Sequence, residues 1–257
     1  MILVLAGTSE GRMTAARLGA AGIPAVATAV TEYGADLLRD AGVEDVLVGP
    51  LERERLSSLL TGNNIRALVD ATHPYAVNIT EMALELCKEK GVHYIRLERP
   101  ASQIPDHPLV TKAYGLDDAV DKALSVGGVL FSTIGSRNLL RIVNKAQKRE
   151  TKLIARVLPD PKVITECSRM GLRPNQIIAA QGPFSKRLNM EFFRFYGAGA
   201  VITKESGDSG GVDTKVAAAL ELGIHVVVWM RPRFDYPLLV SSPEEAVEKV
   251  VQKFLNY

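Results

Sequence analysis

Short apolar runs alternate with segments of helical period along most of this chain, and that alternation limits the fold more than any other feature. Runs at residues 2–6, 24–29, 45–48, 67–70 and 93–97 read as strands. Between them, residues 9–21, 33–41, 52–61 and 77–90 carry the spacing of helices. Gly22, Gly42, Gly62 and Gly91 follow those helices, where a left-handed cap favours glycine. A second set follows an irregular, proline-rich stretch at 100–108. Its strands are expected at 128–133, 153–157, 176–180, 200–203 and 225–229, and its helices at 138–148, 161–170, 185–196, 214–222 and 243–254. Strand–helix alternation at this spacing means right-handed crossovers and parallel sheets. The expected fold class is therefore α/β: two Rossmann-like domains, each a parallel sheet of about five strands flanked by helices. The boundary is placed within 105–117, giving domains 1–111 and 112–257, with the active site in the cleft between them.

Composition excludes several classes of function. With 47% hydrophobic and 23% charged residues, the chain of 257 residues folds around a substantial core. A formal net charge of +2 argues against a general nucleic-acid surface. The chain begins on a strand, MILVLAG, and holds no apolar run long enough to cross a membrane, so a cytoplasmic protein without a membrane partner is expected. Cys87 and Cys167 lie far apart in helical patterns and read as buried thiols. The histidines at 73, 93, 107 and 225 show no ligand spacing, so no protein-bound metal is expected.

Five stretches and the single residue Glu32 carry chemistry. Gly7-Thr8-Ser9-Glu10-Gly11-Arg12 closes the first strand and opens the first helix, a place suited to dinucleotide phosphates. Its glycine spacing is GxxxG, so a plain strand–helix turn capped by Thr8 or Ser9 is the competing reading. Glu32 follows the second strand, where an acid accepts hydrogen bonds from a ribose 2′-hydroxyl and repels a 2′-phosphate; a solvated first-turn acid is the alternative. The run Asp70-Ala-Thr72-His73-Pro-Tyr75 ends the fourth strand, at the edge where open parallel sheets hold ligands, or else is a capped turn. Arg96 and Arg99 either grip anions or pair with Glu98. Ser132, Ser136 and Arg137 repeat the anion-site pattern in the second half, with Ser136 as a plain helix cap the alternative. Lys204, Ser206, Gly207 and Asp208 lie in a glycine-rich loop, with Lys215 one turn into the next helix; backbone, hydroxyl and lysine donors suit a ligand loop, with a flexible surface loop the alternative. No stretch carries a Ser/His/Asp signature.

Taken in order, these stretches resemble the precorrin-6A reductase family of corrin-ring biosynthesis. The matching segments are GTSEGR, VDATHPYA at 69–76, RLERP at 96–100, TIGSRNL at 133–139, RVLP at 156–159, QGPF at 181–184, KESGDSGGVDTK at 204–215 and MRP at 230–232. The resemblance implies an oxidoreductase that passes hydride from NADH or NADPH to a double bond of a carboxylate-rich tetrapyrrole. In the cobalt-early branch the substrate is cobalt-precorrin-6A and the product cobalt-precorrin-6B. Gly7, Thr8, Ser9, Glu10, Arg12, Glu32, Thr72 and Ser132 are the cofactor-binding candidates. Thr72, His73, Arg96, Arg99, Ser136, Arg137, Lys204, Ser206, Gly207 and Lys215 are the substrate-binding candidates. Tyr75, His73 and Asp208 are candidate proton donors, with solvent as the alternative. Glu32, with no basic neighbour to meet a 2′-phosphate, favours NADH over NADPH. Contact with neighbouring enzymes of the pathway is a further expectation. Fold alone leaves two rivals: a nucleotide-sugar or nucleotide transferase, and a non-enzymatic NAD(H)-sensing module.

Overall fold

The computed structural model describes residues 1–62, 64–205, 207 and 211–254. In chain order the elements of the first half are β1 (Ile2–Leu5), α1 (Ser9–Ala20), β2 (Ala25–Ala29), α2 (Glu32–Asp40), β3 (Val46–Val48), α3 (Arg53–Gly62), β4 (Ala67–Asp70), α4 (Val77–Lys90) and β5 (His93–Leu97). They continue with β6 (Val110–Ala113), α5 (Leu116–Val126), β7 (Val129–Ser132), α6 (Leu139–Lys148), β8 (Leu153–Val157), α7 (Pro161–Arg169), β9 (Ile177–Ala179) and α8 (Lys186–Tyr196). The last are β10 (Ala198–Lys204), α9 (Val212–Glu221), β11 (His225–Trp229), β12 (Leu239–Val240) and α10 (Pro243–Phe254). Among the described residues, no helix is long and apolar enough to cross a membrane.

The strands form two six-stranded sheets, β3-β2-β1-β4-β5-β12 and β9-β8-β7-β10-β11-β6, and every pairing is parallel. Both follow the doubly wound order, in which the chain runs outward from a central strand and then reverses. The reversal falls between β1 and β4 in one sheet and between β7 and β10 in the other. Burial on both faces accounts for the unbroken apolar runs. Leu3, Leu68 and Tyr94 pack in one layer of the first sheet, and Val4, Val69 and Ile95 in the layer behind it.

The sixth strand of each sheet corrects the expected domain limits of 1–111 and 112–257. The compact units are Met1–Pro100 with Arg233–Tyr257, and Ala101–Pro232. The C-terminal segment returns to the first unit because β12 pairs with β5 and α10 buries Ala246 and Val250 among Ile2, Val4, Ile95 and Leu97. The sixth place in the second sheet goes to β6, which precedes the other five strands in sequence. Neither β6, α5 nor β12 was expected. β12 has only two residues, and β6 reads VTKA with a single fully buried position, so no apolar run marks it, although Leu116, Ala119, Val120, Ala123 and Leu124 do mark the buried stripe of α5. One cap also differs: Gly62 stays within α3, and Asn64 takes the positive φ of 48° instead.

Shortening Val250 to Ala removes buried methyl groups from the first unit and is expected to cost about 2 kcal/mol. Hydrogen exchange is the check, with protection falling in β1 and β5 and unchanged in β7 and β10.

Candidate functional site

At the reversal point of the first sheet, the loops after β1 and β4 are laced together. Thr8 caps α1: its hydroxyl oxygen accepts from the Gly11 N–H at 3.2 Å and its O–H donates to the Ala71 carbonyl at 2.8 Å. A Cβ on Gly7 would lie 3.2 Å from Thr72 Cα, and one on Gly11 would lie 2.8 Å from Ala6 Cα. Both glycines are thus required by close backbone approach. The Ser9 hydroxyl donates to Glu10, whose carboxylate pairs with Arg99 at 3.2 Å. Burial pushes the Glu10 carboxyl up, but its backbone hydrogen bond and Arg99 outweigh this and hold it below the usual range. Arg12 is half-buried on α1, and Glu32 opens α2 with an exposed side chain 3.8 Å from Arg39.

Asp70 and Arg96 face each other in register on β4 and β5, both fully buried. Asp70 accepts from the Thr72 hydroxyl at 2.6 Å, Thr80 at 2.9 Å and Tyr94 at 2.6 Å, and pairs with Arg96 at 3.0 Å. Arg96 also meets Glu98 at 2.9 Å, donates to Thr72 at 3.2 Å and lies 5.6 Å from the Tyr236 ring centre. Burial would lower the Arg96 pKa, but Asp70 and Glu98 raise it overall, so the guanidinium stays charged. Burial together with Asp70 pushes the Tyr94 phenol far up.

This corrects the expected substrate clamp. Arg96 is enclosed by acids and an aromatic ring, leaving a substrate carboxylate no approach. Thr72 gives its hydroxyl to the same network. The two arginines also divide their acids differently from the expected surface pairing: Arg96 takes Glu98 and Arg99 takes Glu10. Just beyond, half-buried His73 accepts the Tyr75 N–H at Nδ1, at 3.3 Å, with the two rings 5.6 Å apart.

In the second unit, Ser132 closes β7 with its hydroxyl buried, so it offers nothing to a cofactor, contrary to expectation. Ser136 is not a side-chain cap: α6 starts behind Asn138, and among the described residues it is the Ser136 carbonyl that is engaged, by the Leu139 N–H at 2.9 Å. Arg137 is exposed. Lys204 ends β10, with Nζ 5.3 Å from the Trp229 ring centre. Burial, reinforced by Arg137, lowers its pKa to about 8. Half-buried Lys215 is lowered to about 8 by burial and then by Arg156, with Asp213 acting in the opposite sense. Gly207 is buried and donates its N–H to Glu205 at 3.1 Å; Ser206 and Asp208 lie outside the described residues.

Two groups here escaped sequence reasoning. Fully buried Glu205 accepts from Arg231 at 2.9 Å and from the Ser102 N–H at 3.0 Å, tying the end of β10 to both segments. Burial raises its pKa, but the Arg231 hydrogen bond leads the groups that bring it below the usual range. No local pattern announces a partner so distant in sequence. Arg156 did leave a signal, as the one cation in the wholly buried strand LIARV.

With this geometry in view, the comparisons with known proteins are specific. Residues 1–251 match the family described as precorrin-6x reductase CbiJ/CobK. This chain belongs to that family. A cobalt-precorrin-6A reductase of Priestia megaterium is 36% identical over 98% of this chain and 99% of its own length. A cobalt-precorrin-6A reductase of Methanothermobacter thermautotrophicus is 39% identical over 91% of this chain and 77% of its own length. Among solved structures, CobK precorrin-6A reductase aligns over 98% of this chain and 96% of its own, with a TM-score of 0.76 at 23% identity. That likeness bears on the fold, and it agrees with the two parallel sheets of this precorrin-6x reductase family member.

Replacing Arg96 by Met leaves Asp70 and Glu98 buried without their cation, and a loss of about 3–5 kcal/mol is expected in denaturant unfolding. Lys204 and Lys215 carry native pKa values of about 8 against an ordinary 10.5. Between those pH values the unfolded chain holds more protons, so stability rises with pH across the window. Lys204→Met and Lys215→Met each flatten that rise in pH-dependent thermal unfolding.

Proposed function

We propose that this chain reduces a double bond of precorrin-6A, in its cobalt-bearing form, by hydride transfer from a nicotinamide dinucleotide. The observation that carries this reading is the position of Gly7–Arg12 at the reversal point of a doubly wound sheet, where such folds take dinucleotides. Gly7 and Gly11 keep the backbone bare there, and Arg99 neutralises Glu10, so the loop fits a phosphate group. A bound dinucleotide supplies the hydride. The chain's own part is to orient the reactants, exclude water and deliver a proton. Half-buried His73 and Tyr75, beside the same loop pair, are the proton-donor candidates among the described residues. Lys204, Lys215 and Arg137 supply positive charge for the acetate and propionate arms of a tetrapyrrole. Glu32, at the end of β2, favours NADH by repelling a 2′-phosphate.

The test is anaerobic oxidation of NADH and NADPH, followed by loss of the reduced-nicotinamide absorbance, with precorrin-6A and its cobalt form offered separately. Turnover with the cobalt form and NADH is expected; a folded protein that oxidises neither donor with either macrocycle overturns the proposal. In the same assay Glu32→Ala is expected to narrow the preference for NADH about fivefold, the weight of an exposed charge interaction of about 1 kcal/mol.

A further inference from the structure

A cavity of about 280 Å³ opens at the carboxyl end of β8, bounded by the loop after β7, the turn at Pro183 and Phe184, and the first turn of α9. Arg156 and Lys215 both line it. We propose that this cavity is an oxyanion subsite that takes one carboxylate-bearing arm of the substrate, held between Arg156 and Lys215. The proposal rests on the tetrapyrrole reading above and deepens it.

Arg156 is only 6% exposed, yet among the described residues it makes no ion pair. Its guanidinium donates to the neutral Asn189 Oδ1 at 2.9 Å. A buried cation without an acid costs several kcal/mol, and groups perturbed in this way cluster at functional sites. Contrast buried Arg96 and half-buried Arg231, each of which meets a buried carboxylate.

The surroundings hold Arg156 in place. Asn189, fully buried, donates its amide to the Phe184 carbonyl at 3.2 Å and the Ser185 carbonyl at 3.1 Å, which turns its Oδ1 toward Arg156. The guanidinium lies 4.6 Å from the Phe184 ring centre and 5.8 Å from that of Phe192. Thr214 donates to the Phe184 carbonyl at 3.1 Å and so ties α9, which carries Lys215, to the same turn. The cavity is therefore a built site.

Two like charges sharing one cavity repel each other. That repulsion, added to burial, is why the Lys215 pKa falls to about 8, while burial alone takes Arg156 to about 10. An oxyanion between them reverses both effects, and the guanidinium fork matches its two oxygens. Ile134, Val157, Leu158 and Pro183 supply apolar walls, which suit the methylene stem of an acetate or propionate arm better than a hydrated inorganic ion. The 2′-phosphate of a dinucleotide offers the same oxyanion chemistry from another source.

The test is a thermal-unfolding titration of the full chain with sodium propionate, with adenosine 2′-monophosphate in parallel, at constant ionic strength and neutral pH. The wild-type melting midpoint is expected to rise saturably with propionate, and the apparent affinity to fall at least tenfold in both Arg156→Met and Lys215→Met. Without propionate Arg156→Met should melt at or above the wild-type temperature, since it loses a buried charge that makes no ion pair among the described residues. A lower melting point for Arg156→Met and unchanged propionate binding by Lys215→Met would show structural roles and overturn the proposal. Saturation by adenosine 2′-monophosphate but not by propionate would reassign the cavity to the cofactor, and saturation by neither would refute it. None of these readouts requires turnover. Failure of the reductase reading would therefore appear separately, as absent dinucleotide oxidation by a protein that still binds propionate.

Discussion

The buried pair of Asp70 and Arg96 is the interaction on which the first unit depends. The two residues are register partners on adjacent strands, and neither has access to water. Such a pair holds only when its remaining hydrogen-bonding capacity is met, because desolvating each charge costs several kcal/mol. Here Thr72, Thr80 and Tyr94 donate to the carboxylate, while Glu98 and the Thr72 hydroxyl accept from the guanidinium. Those partners come from the loop after β4, from α4 and from β5. One polar centre therefore fixes the strand edge, the helix that follows and the backbone path between them.

The same centre reaches the returning C-terminal segment. The Arg96 N–H donates to the Leu238 carbonyl at 2.8 Å, and Leu239 is its register partner on β12. Tyr236 stacks on Tyr94 with ring centres 6.2 Å apart. Beyond β12, α10 buries its apolar stripe in the first unit's core. The sixth strand thus joins the sheet where polar satisfaction and apolar burial act together.

The two units repeat one topology but use charge differently. Around the reversal point of the first sheet, Glu10 pairs with Arg99 and Arg96 bridges Asp70 and Glu98, so three acids enclose two arginines. Backbone groups and the His73–Tyr75 turn remain as its chemical surface. In the second unit, Glu205 and Arg231 form a closed pair, whereas Lys204, Lys215 and Arg156 all have lowered pKa values. A depressed cation shows positive charge desolvated faster than the protein's own acids compensate it.

Much of this was legible in the sequence, because a parallel strand buried on both faces must be apolar along its whole length. Residues 67–70, 93–97, 153–157 and 225–229 match β4, β5, β8 and β11, and the four loops at the two reversal points were all marked as chemical. The roles of individual side chains were not. Arg96 reads in sequence like an exposed anion clamp, and Arg156 like a stray cation in an apolar run. A residue's charge is local information, whereas its partner is a neighbour in space that lies in another element. For Arg96 that partner is Asp70 in the adjacent strand, and for Arg231 it is Glu205 across a loop. The sequence by itself determined the α/β class, the parallel pairing and the position of the loops, since these follow from periodicity and burial along each segment. Only the tertiary structure decided which sheet β6, β12 and α10 complete and which cations are neutralised, because strand pairing and charge compensation both depend on distance in space.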